Sequence, residues 1–316
     1  MQFVRGLHNL KSEHRNCVVT IGNFDGVHQG HQALLRLLAE EAGKNNTPAC
    51  LLSFDPLPHE YFSKNKPAPR LTSARERYTT IVELDEPLRP DMLLILRFDN
   101  TLAQLTAEEF VTQVLVDALA VRAVVVGDDF HFGKGRTGNY DFLKAAGDKY
   151  GFEVLALSTH SVDNMRVSST AIRQALLNDR LFEAERMLGR PYRICGRVAH
   201  GDKRGRTIGF PTANVRLNRP AIPLSGVYSV TLCSPVLGDV PGIANIGRRP
   251  TVDGVRDQLE VHLFDFEKDI YGMNVCVSFH QKIRAEKKFE SFELLKQQIE
   301  LDCVRAREMH KTMNNE

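Results

Sequence analysis

The stretch Cys17-Val18-Val19-Thr20-Ile21-Gly22-Asn23-Phe24-Asp25-Gly26-Val27-His28-Gln29-Gly30-His31 decides the reading of the first half of this chain. Cys17 to Ile21 is apolar and β-branched and reads as a strand. After His31, residues Ala33, Leu34, Leu37, Leu38 and Ala42 recur at the spacing of one helix face. A strand running through a Gly-rich turn into a helix is the unit of a parallel sheet covered by helices. At such a junction the helix N-terminus offers N–H groups and the positive end of its dipole, which suits an anion. His28 and His31, three residues apart with Gly30 between them, can then face one phosphate. Two duller readings compete. The pair could simply cap the helix or pack in the turn, or it could ligate a metal, although no third ligand stands beside it at helical spacing.

Working outward, strands are expected at 18–21, 49–54, 92–96, 123–126 and 153–157, with helical patterns between them such as Phe110, Val114, Leu115 and Leu119. This alternation predicts a doubly wound α/β domain. After Gly189-Arg190-Pro191 the rhythm changes to strands separated by Gly and Pro turns, so the chain divides into domains 1–187 and 188–316. The second domain reads as a small β-barrel. In Leu259 to Phe264 the apolar Leu259, Val261 and Leu263 alternate with Glu260 and His262, and Val275, Val277 and Phe279 repeat the pattern. A closing helix from about Ser291 to Lys311, carrying Phe292, Leu295, Ile299 and Val304, is expected to pack across the barrel.

Composition narrows the class. The 316 residues include 41 Lys and Arg against 39 Asp and Glu, a balance that argues against a nucleic-acid binder working by bulk charge. With 42% hydrophobic and 25% charged residues the chain is ordinary globular material, not a disordered one. The apolar runs are far shorter than the ~20 residues of a membrane span, so no membrane or targeting segment is expected. The cysteines at 17, 50, 195, 233, 276 and 303 form no C-x-x-C pair, and they read as isolated thiols of a reduced, cytoplasmic protein. Oligomeric state is not legible.

Three further motifs carry chemistry. Arg166-Val167-Ser168-Ser169-Thr170-Ala171-Ile172-Arg173 sets hydroxyls at a helix start, able to hold phosphates or simply to cap, with a cation at each end. Gly127-Asp128-Asp129-Phe130-His131-Phe132-Gly133 follows a strand. Gly205-Arg206-Thr207-Ile208-Gly209-Phe210-Pro211-Thr212-Ala213-Asn214 joins flexible glycines to a hydroxyl and an amide, groups that suit a phosphate loop and Mg²⁺, or only a barrel turn.

The first stretch, with its His-x-Gly-His, resembles the nucleotidyltransferase superfamily, and in full it resembles the bacterial FAD synthetase branch. The 166–173 stretch and the G-x-D-F-x-F-G pattern at 127–133 extend that likeness. The Pro211-Thr212-Ala213-Asn214 run resembles riboflavin kinases, as do Gly226-Val227-Tyr228, Asn245-Ile246-Gly247, Glu260-Val261-His262-Leu263-Phe264 and 283–289. The resemblance implies a bifunctional FAD synthetase that phosphorylates riboflavin to FMN with ATP and then adenylylates FMN to FAD with release of pyrophosphate. It further implies Mg²⁺ at Thr212 and Asn214, small-molecule substrates, and neither nucleic acid nor membrane as a partner.

In that frame His28, His31 and Glu260 are the catalytic residues, Glu260 being the base toward the flavin ribityl hydroxyl. Gly22, Phe24, Asp25, Gly30, Asp129, Arg166, Ser168, Ser169, Thr170 and Arg173 would bind ATP or FMN in the first domain. Gly205, Gly209, Pro211, Thr212, Asn214, Arg284 and Phe289 would bind ATP or flavin in the second. One departure stands out: relatives carry one residue between two prolines of a Pro-x-Pro with His or Gln at x, whereas this chain reads Pro56-Leu57-Pro58, which places a flavin contact there in doubt. Two alternatives stay open, a nucleotidyltransferase for another phosphorylated acceptor and a non-enzymatic flavin-nucleotide sensor.

Overall fold

The structure, a computed structural model, describes residues 1–63, 68–158, 161–162, 165–200, 209–217, 219, 221–251 and 254–313. It divides into two compact units, one of residues 1–68 and 74–169, the other of 69–73 and 170–316.

The first unit is built on a parallel sheet of β1 (Gln2–Arg5), β2 (Val18–Ile21), β3 (Ala49–Phe54), β4 (Met92–Leu96), β5 (Ala123–Gly127) and β6 (Glu153–Leu157), in the order β1-β4-β3-β2-β5-β6. Strands β2, β3 and β4 are buried along their whole length, which explains their unbroken apolar runs, since helices cover both faces. Those helices are α1 (Gln29–Asn45), α2 (Pro58–Phe62), α3 (Ala74–Val82), α4 (Asn100–Gln104), α5 (Ala107–Phe110), continued as a π-helical stretch Val111–Ala118, and α6 (Tyr140–Tyr150). One core lies between the sheet and the α5 and α6 side, the other between the sheet and α1 with Ile81 of α3. The order runs outward from β2 in one direction and from β5 in the other. The carboxyl ends of β2 and β5 therefore flank the point where the winding reverses, the usual place for a ligand crevice. A short hairpin, β7 (Ser161–Val162) with β8 (Met165–Arg166), follows.

Edge strand β1 is absent from the sequence expectation, because only Val4 of its four residues is buried and no alternation shows. In α1 the fully buried side is Leu35, Leu38 and Ala42, rotated slightly from the expected face, with Leu34 and Leu37 half-buried beside it.

The second unit begins with α7 (Ser169–Leu177, from Thr170) and α8 (Leu181–Leu188). A closed antiparallel barrel follows: β9 (Tyr192–Ala199), β10 (Ala213–Val215), β11 (Gly226–Ser234), β12 (Gly238–Thr251), β13 (Gly254–Leu263) and β14 (Asn274–Arg284), in the order β10-β13-β12-β11-β14-β9, closed by β9 on β10. Leu259, Val261 and Leu263 are buried, as are Val275, Val277 and Phe279. Packing thus changes partner at 169/170, ahead of the 187/188 division read from the sequence. The reason is that α8 lies against β9 and β14 and buries Leu181, Ala184, Met187 and Leu188.

Helix α9 (Phe292–Met313) lies on β12, β11 and β14. Its inner stripe is Leu295, Ile299, Asp302, Cys303, Ala306 and His310, at helical spacing. The expectation fails for Val304, which is 54% exposed because it falls off that stripe; Phe292 keeps the spacing and lines a cavity with Leu295 and Ile299, although as the first residue of the helix it is 63% exposed. The reading of all six cysteines as isolated thiols is also corrected. Cys195 and Cys276 face each other across β9 and β14, with Cα atoms 4.0 Å apart, and form a disulfide. Such a cross-strand pairing depends on barrel register and leaves no trace in spacing along the chain.

Candidate active sites

The turn after β2 holds the first site. Phe24, Gly26 and Val27 adopt positive φ (48°, 90° and 45°), and for a β-branched valine this is a conformation that only its surroundings can maintain. Those surroundings are the core, since Phe24 and Val27 are both fully buried. Gly22 packs closely here: a Cβ there would sit 3.1 Å from the buried Phe24 ring, which would have to give by a few tenths of an ångström.

The backbone N–H of His31 donates to Nδ1 of His28 at 3.2 Å, and that of His28 donates to Nδ1 of His31 at 3.3 Å. The two imidazoles stack at 3.5 Å between centroids, and Phe24 stacks on the His31 ring at 4.5 Å. With Nδ1 accepting in each ring, both are the Nε2–H tautomer, and Nε2 is the ring's donor position. Capping of α1 thus uses the Nδ1 atoms, and the N–H of each ring is at Nε2. Gly30 lies in the first turn of α1.

Ser169 of the 166–173 stretch comes to the same turn. Ser169 Oγ donates to the Asp25 carbonyl at 2.8 Å, and Asp25 itself is 1% exposed. Arg166 Nη2 pairs with Asp129 at 2.5 Å, joining the 127–133 loop to the 166–173 stretch with both side chains exposed. Ser168 is half-buried and Thr170 exposed at the start of α7. Arg173 Nε donates to the Pro69 carbonyl at 2.7 Å, and both residues belong to the second unit.

Two features of this region went unread in the sequence. Arg77 of α3, 1% exposed, donates to the carbonyls of Asn23 (2.6 Å) and Phe54 (2.8 Å) and to the hydroxyl of Ser53 (2.7 Å), tying the turn after β2 to the end of β3. At the departure from the Pro-x-Pro pattern, Leu57 is a fully buried core residue, so it offers nothing to a ligand. Beside it Phe54, Tyr61, Phe62 and Phe98 form an edge-to-face cluster with Phe62 67% exposed.

In the barrel, register builds the second site. Asn214 on β10 lies opposite Glu260 on β13, Glu260 opposite Asn245 on β12, Asn245 opposite Val227 on β11, and Val227 opposite Arg284 on β14. All five residues line one cavity of about 290 Å³, together with Phe210, Thr212, His262, Glu286, Lys287 and Phe289. The alternation along β13 sends Leu259, Val261 and Leu263 into the core and Glu260 and His262 to this cavity. Arg284 donates from Nε to Asp302 at 2.8 Å and lies 5.5 Å over the Phe289 ring, which Lys287 also approaches at 5.7 Å.

A second cavity of about 340 Å³ is lined by Pro211, Thr212, Ala213, Phe266 to Tyr271 and the apolar side of β13. Thr212 lines both cavities. His262 holds the loop between them through its Nδ1, 2.9 Å from the Pro211 carbonyl, and burial lowers its pKa from the ordinary value. Gly209 has φ of 90°, a conformation glycine favours, while Gly205 lies outside the described residues. Gln258, bonded to both Asn214 and Glu260, was missed, its signal being its place on the same strand face as Glu260; Asn245 stood in a quoted motif but was given no role.

Among the described residues no helix is long and apolar enough to cross a membrane, and no three His, Cys, Asp or Glu side chains gather as a metal would need. Oxygen donors do line the first cavity: the Thr212 hydroxyl and the Asn214 side-chain carbonyl are of the kind that fits Mg²⁺ completed by phosphate oxygens, and the Glu260 carboxylate lines the same cavity.

Comparison with known proteins finds two families along the chain. Residues 10–171 match the FAD synthetase family and residues 188–310 the riboflavin kinase family. The chain is 48% identical to the bifunctional riboflavin kinase/FMN adenylyltransferase of Escherichia coli K12, covering 98% of this chain and 97% of that one. It is 50% identical to the protein of the same name from Pseudomonas fluorescens, over 97% of each. The crystal structure described as a macrolide-efflux protein from Streptococcus pneumoniae superimposes with a TM-score of 0.78 at 31% identity, covering 95% of this chain and 97% of that one.

Proposed function

The chain belongs to the bifunctional riboflavin kinase/FMN adenylyltransferases, and we propose that its two reactions divide between the two sites, adenylylation with residues 1–187 and phosphorylation with residues 188–316. It makes FAD from riboflavin in two ATP-dependent steps. The observation that carries the division is the geometry of the barrel: Asn214, Glu260 and Arg284 converge on one cavity, and Thr212 stands where that cavity meets the next.

In the kinase reaction the terminal ribityl hydroxyl of riboflavin attacks the γ-phosphate of ATP, the bond from that phosphorus to the β,γ-bridging oxygen breaks, and ADP leaves. Glu260 takes the hydroxyl proton, a role in which a positioned base contributes roughly 10²–10⁴-fold. Arg284 and Phe289 receive the flavin ring in the first cavity, and the nucleotide enters by the second, so that its phosphates meet the flavin beside Thr212. Thr212 and Asn214 would hold Mg²⁺, which when bound supplies charge neutralisation to the phosphates.

In the adenylyl transfer the FMN phosphate attacks the α-phosphate of a second ATP and pyrophosphate leaves. His28 and His31 donate from Nε2 to the charge growing on that α-phosphate, at the positive end of α1. Arg166, Ser168, Ser169 and Thr170 hold the departing phosphates, and the exposed ring of Phe62, backed by the half-buried Tyr61 and Phe98, offers the flavin a surface in place of the missing Pro-x-Pro contact. ATP-dependent synthesis of a cofactor also suits a cytoplasmic enzyme.

The test is one incubation with riboflavin, ATP and Mg²⁺, followed by chromatography. Successive appearance of FMN and FAD is expected; FMN as the sole product would remove the adenylyl assignment.

A further inference from the structure

Gln258 lies two residues before Glu260 on β13 and hence on the same face of that strand. Its side-chain nitrogen is 2.9 Å from Glu260 Oε1 and 2.7 Å from Asn214 Oδ1. From this juxtaposition we infer that Gln258 is a positioning residue for phosphoryl transfer, whose single amide sets the facing of both Asn214 and Glu260. The inference rests on the roles given above to those two residues.

The argument is one of donors and acceptors. A carboxylate only accepts, so the Gln258 atom facing Glu260 is the amide nitrogen. That nitrogen has a second N–H, and the atom of Asn214 it meets must also be an acceptor, which fixes Oδ1 toward Gln258 and turns Nδ2 the other way. Asn214 and Glu260 are opposite one another on β10 and β13, so the amide braces the pair from one side. Without it either side chain could rotate about its own bonds, and the pair would lose its common facing. The other ionisable groups on this cavity, His262, Arg284, Glu286, Lys287 and Asp302, are given no part in this bracing.

Two variants separate the possibilities. Gln258→Met keeps the volume and removes both donors; Gln258→Glu keeps the shape and replaces donors with a charge that repels Glu260. Each is measured for kcat and KM in riboflavin phosphorylation, for riboflavin Kd by flavin fluorescence without nucleotide or metal, and for thermal unfolding. Loss of a partner that orients a site group typically costs about 10–100-fold. The expected result is a kcat lower by about that factor in Gln258→Met and by more in Gln258→Glu, with riboflavin Kd within about threefold of the parent.

A cycle with Asn214→Ala supplies the second reading: once Asn214 is gone, Gln258→Met should cost less than in the parent, what remains being the share that acts through Glu260. Parent-like kcat in both variants overturns the inference, as does a loss wholly matched by weaker riboflavin binding or by unfolding. Glu260→Gln, assayed alongside, keeps the two levels apart. If it retains full kinase activity the base assignment itself fails; if it is inactive while Gln258→Met is normal, only the positioning role fails.

Discussion

Asp302 of α9, 1% exposed, accepts a hydrogen bond of 2.8 Å from Nε of Arg284, which lines the cavity assigned to the flavin. A second acceptor atom of the same carboxylate takes the Gln298 amide at 2.9 Å. The helix that closes the chain therefore aims a cation at the site. Removing one partner of a buried ion pair typically costs about 3–5 kcal/mol. Asp302→Ala is expected to lower the stability of the barrel by about that amount and to raise the KM for riboflavin, whereas Asp302→Asn, which retains an acceptor, should recover part of both. Denaturant unfolding and steady-state kinase assays measure them.

A pH response is expected under α9. His280 contacts Thr231 and lies 5.7 Å from His310, which in turn contacts Ser229. Burial, with His310 adding to it, pushes the His280 pKa down from 6.5 to about 4, and burial lowers His310 too. A folded-state pKa below the unfolded one means that the unfolded chain binds protons first. The contribution is present above about pH 6.5 and is lost as pH falls toward 4. Unfolding midpoints taken across that window should drop, and His280→Gln should flatten the slope; an identical slope in the variant would remove His280 as its source.

The segment 170–188 makes a prediction about where the chain can be cut. Asp179 accepts from Lys282 Nζ at 2.8 Å and from the Tyr228 hydroxyl at 3.2 Å, and α8 buries Leu181, Met187 and Leu188. Full burial of such side chains is worth about 1.5–3 kcal/mol each. A fragment 170–316 should accordingly unfold at a higher temperature than 188–316, although every group assigned to the kinase lies in both. Equal melting temperatures would show that these contacts contribute nothing.

Arg77 is the matching case in the first unit. Its guanidinium holds the Asn23 carbonyl from α3, so Arg77→Met leaves two carbonyls and a hydroxyl without their charged donor. At roughly 1–3 kcal/mol for each unsatisfied buried group, the variant should lose several kcal/mol of stability and FAD formation should fall with it. Chemical denaturation monitored by circular dichroism checks the first part, and FMN adenylylation the second.

These residues also show what a sequence can and cannot disclose. The unit of β2 and α1 was legible because its signals agree: a β-branched run, a Gly-rich turn, then helical spacing. Glu260 was legible as a cavity residue because alternation on β13 is strict. Arg77, Gln258 and Asp302 were not, since each is polar or charged, breaks no pattern, and gains its meaning only from partners on other elements. Val304 misled for the converse reason: an apolar residue near the right spacing was counted into a stripe that in fact runs through Asp302 and Ala306. The Cys195 to Cys276 bond and edge strand β1 likewise depend on register between strands, which local pattern does not encode.

The central claim is that two separate sets of residues perform the two reactions, and the most direct measurement follows both half-reactions in His28→Ala, His31→Ala and Glu260→Gln. The histidine variants should convert riboflavin to FMN at the parent rate and lose about 10²–10³-fold in FAD formation, the scale for removing one transition-state donor. Glu260→Gln should leave riboflavin untouched and still convert supplied FMN to FAD. A folded variant of either kind that loses both reactions together would contradict the account, because it would place the two chemistries in one shared site.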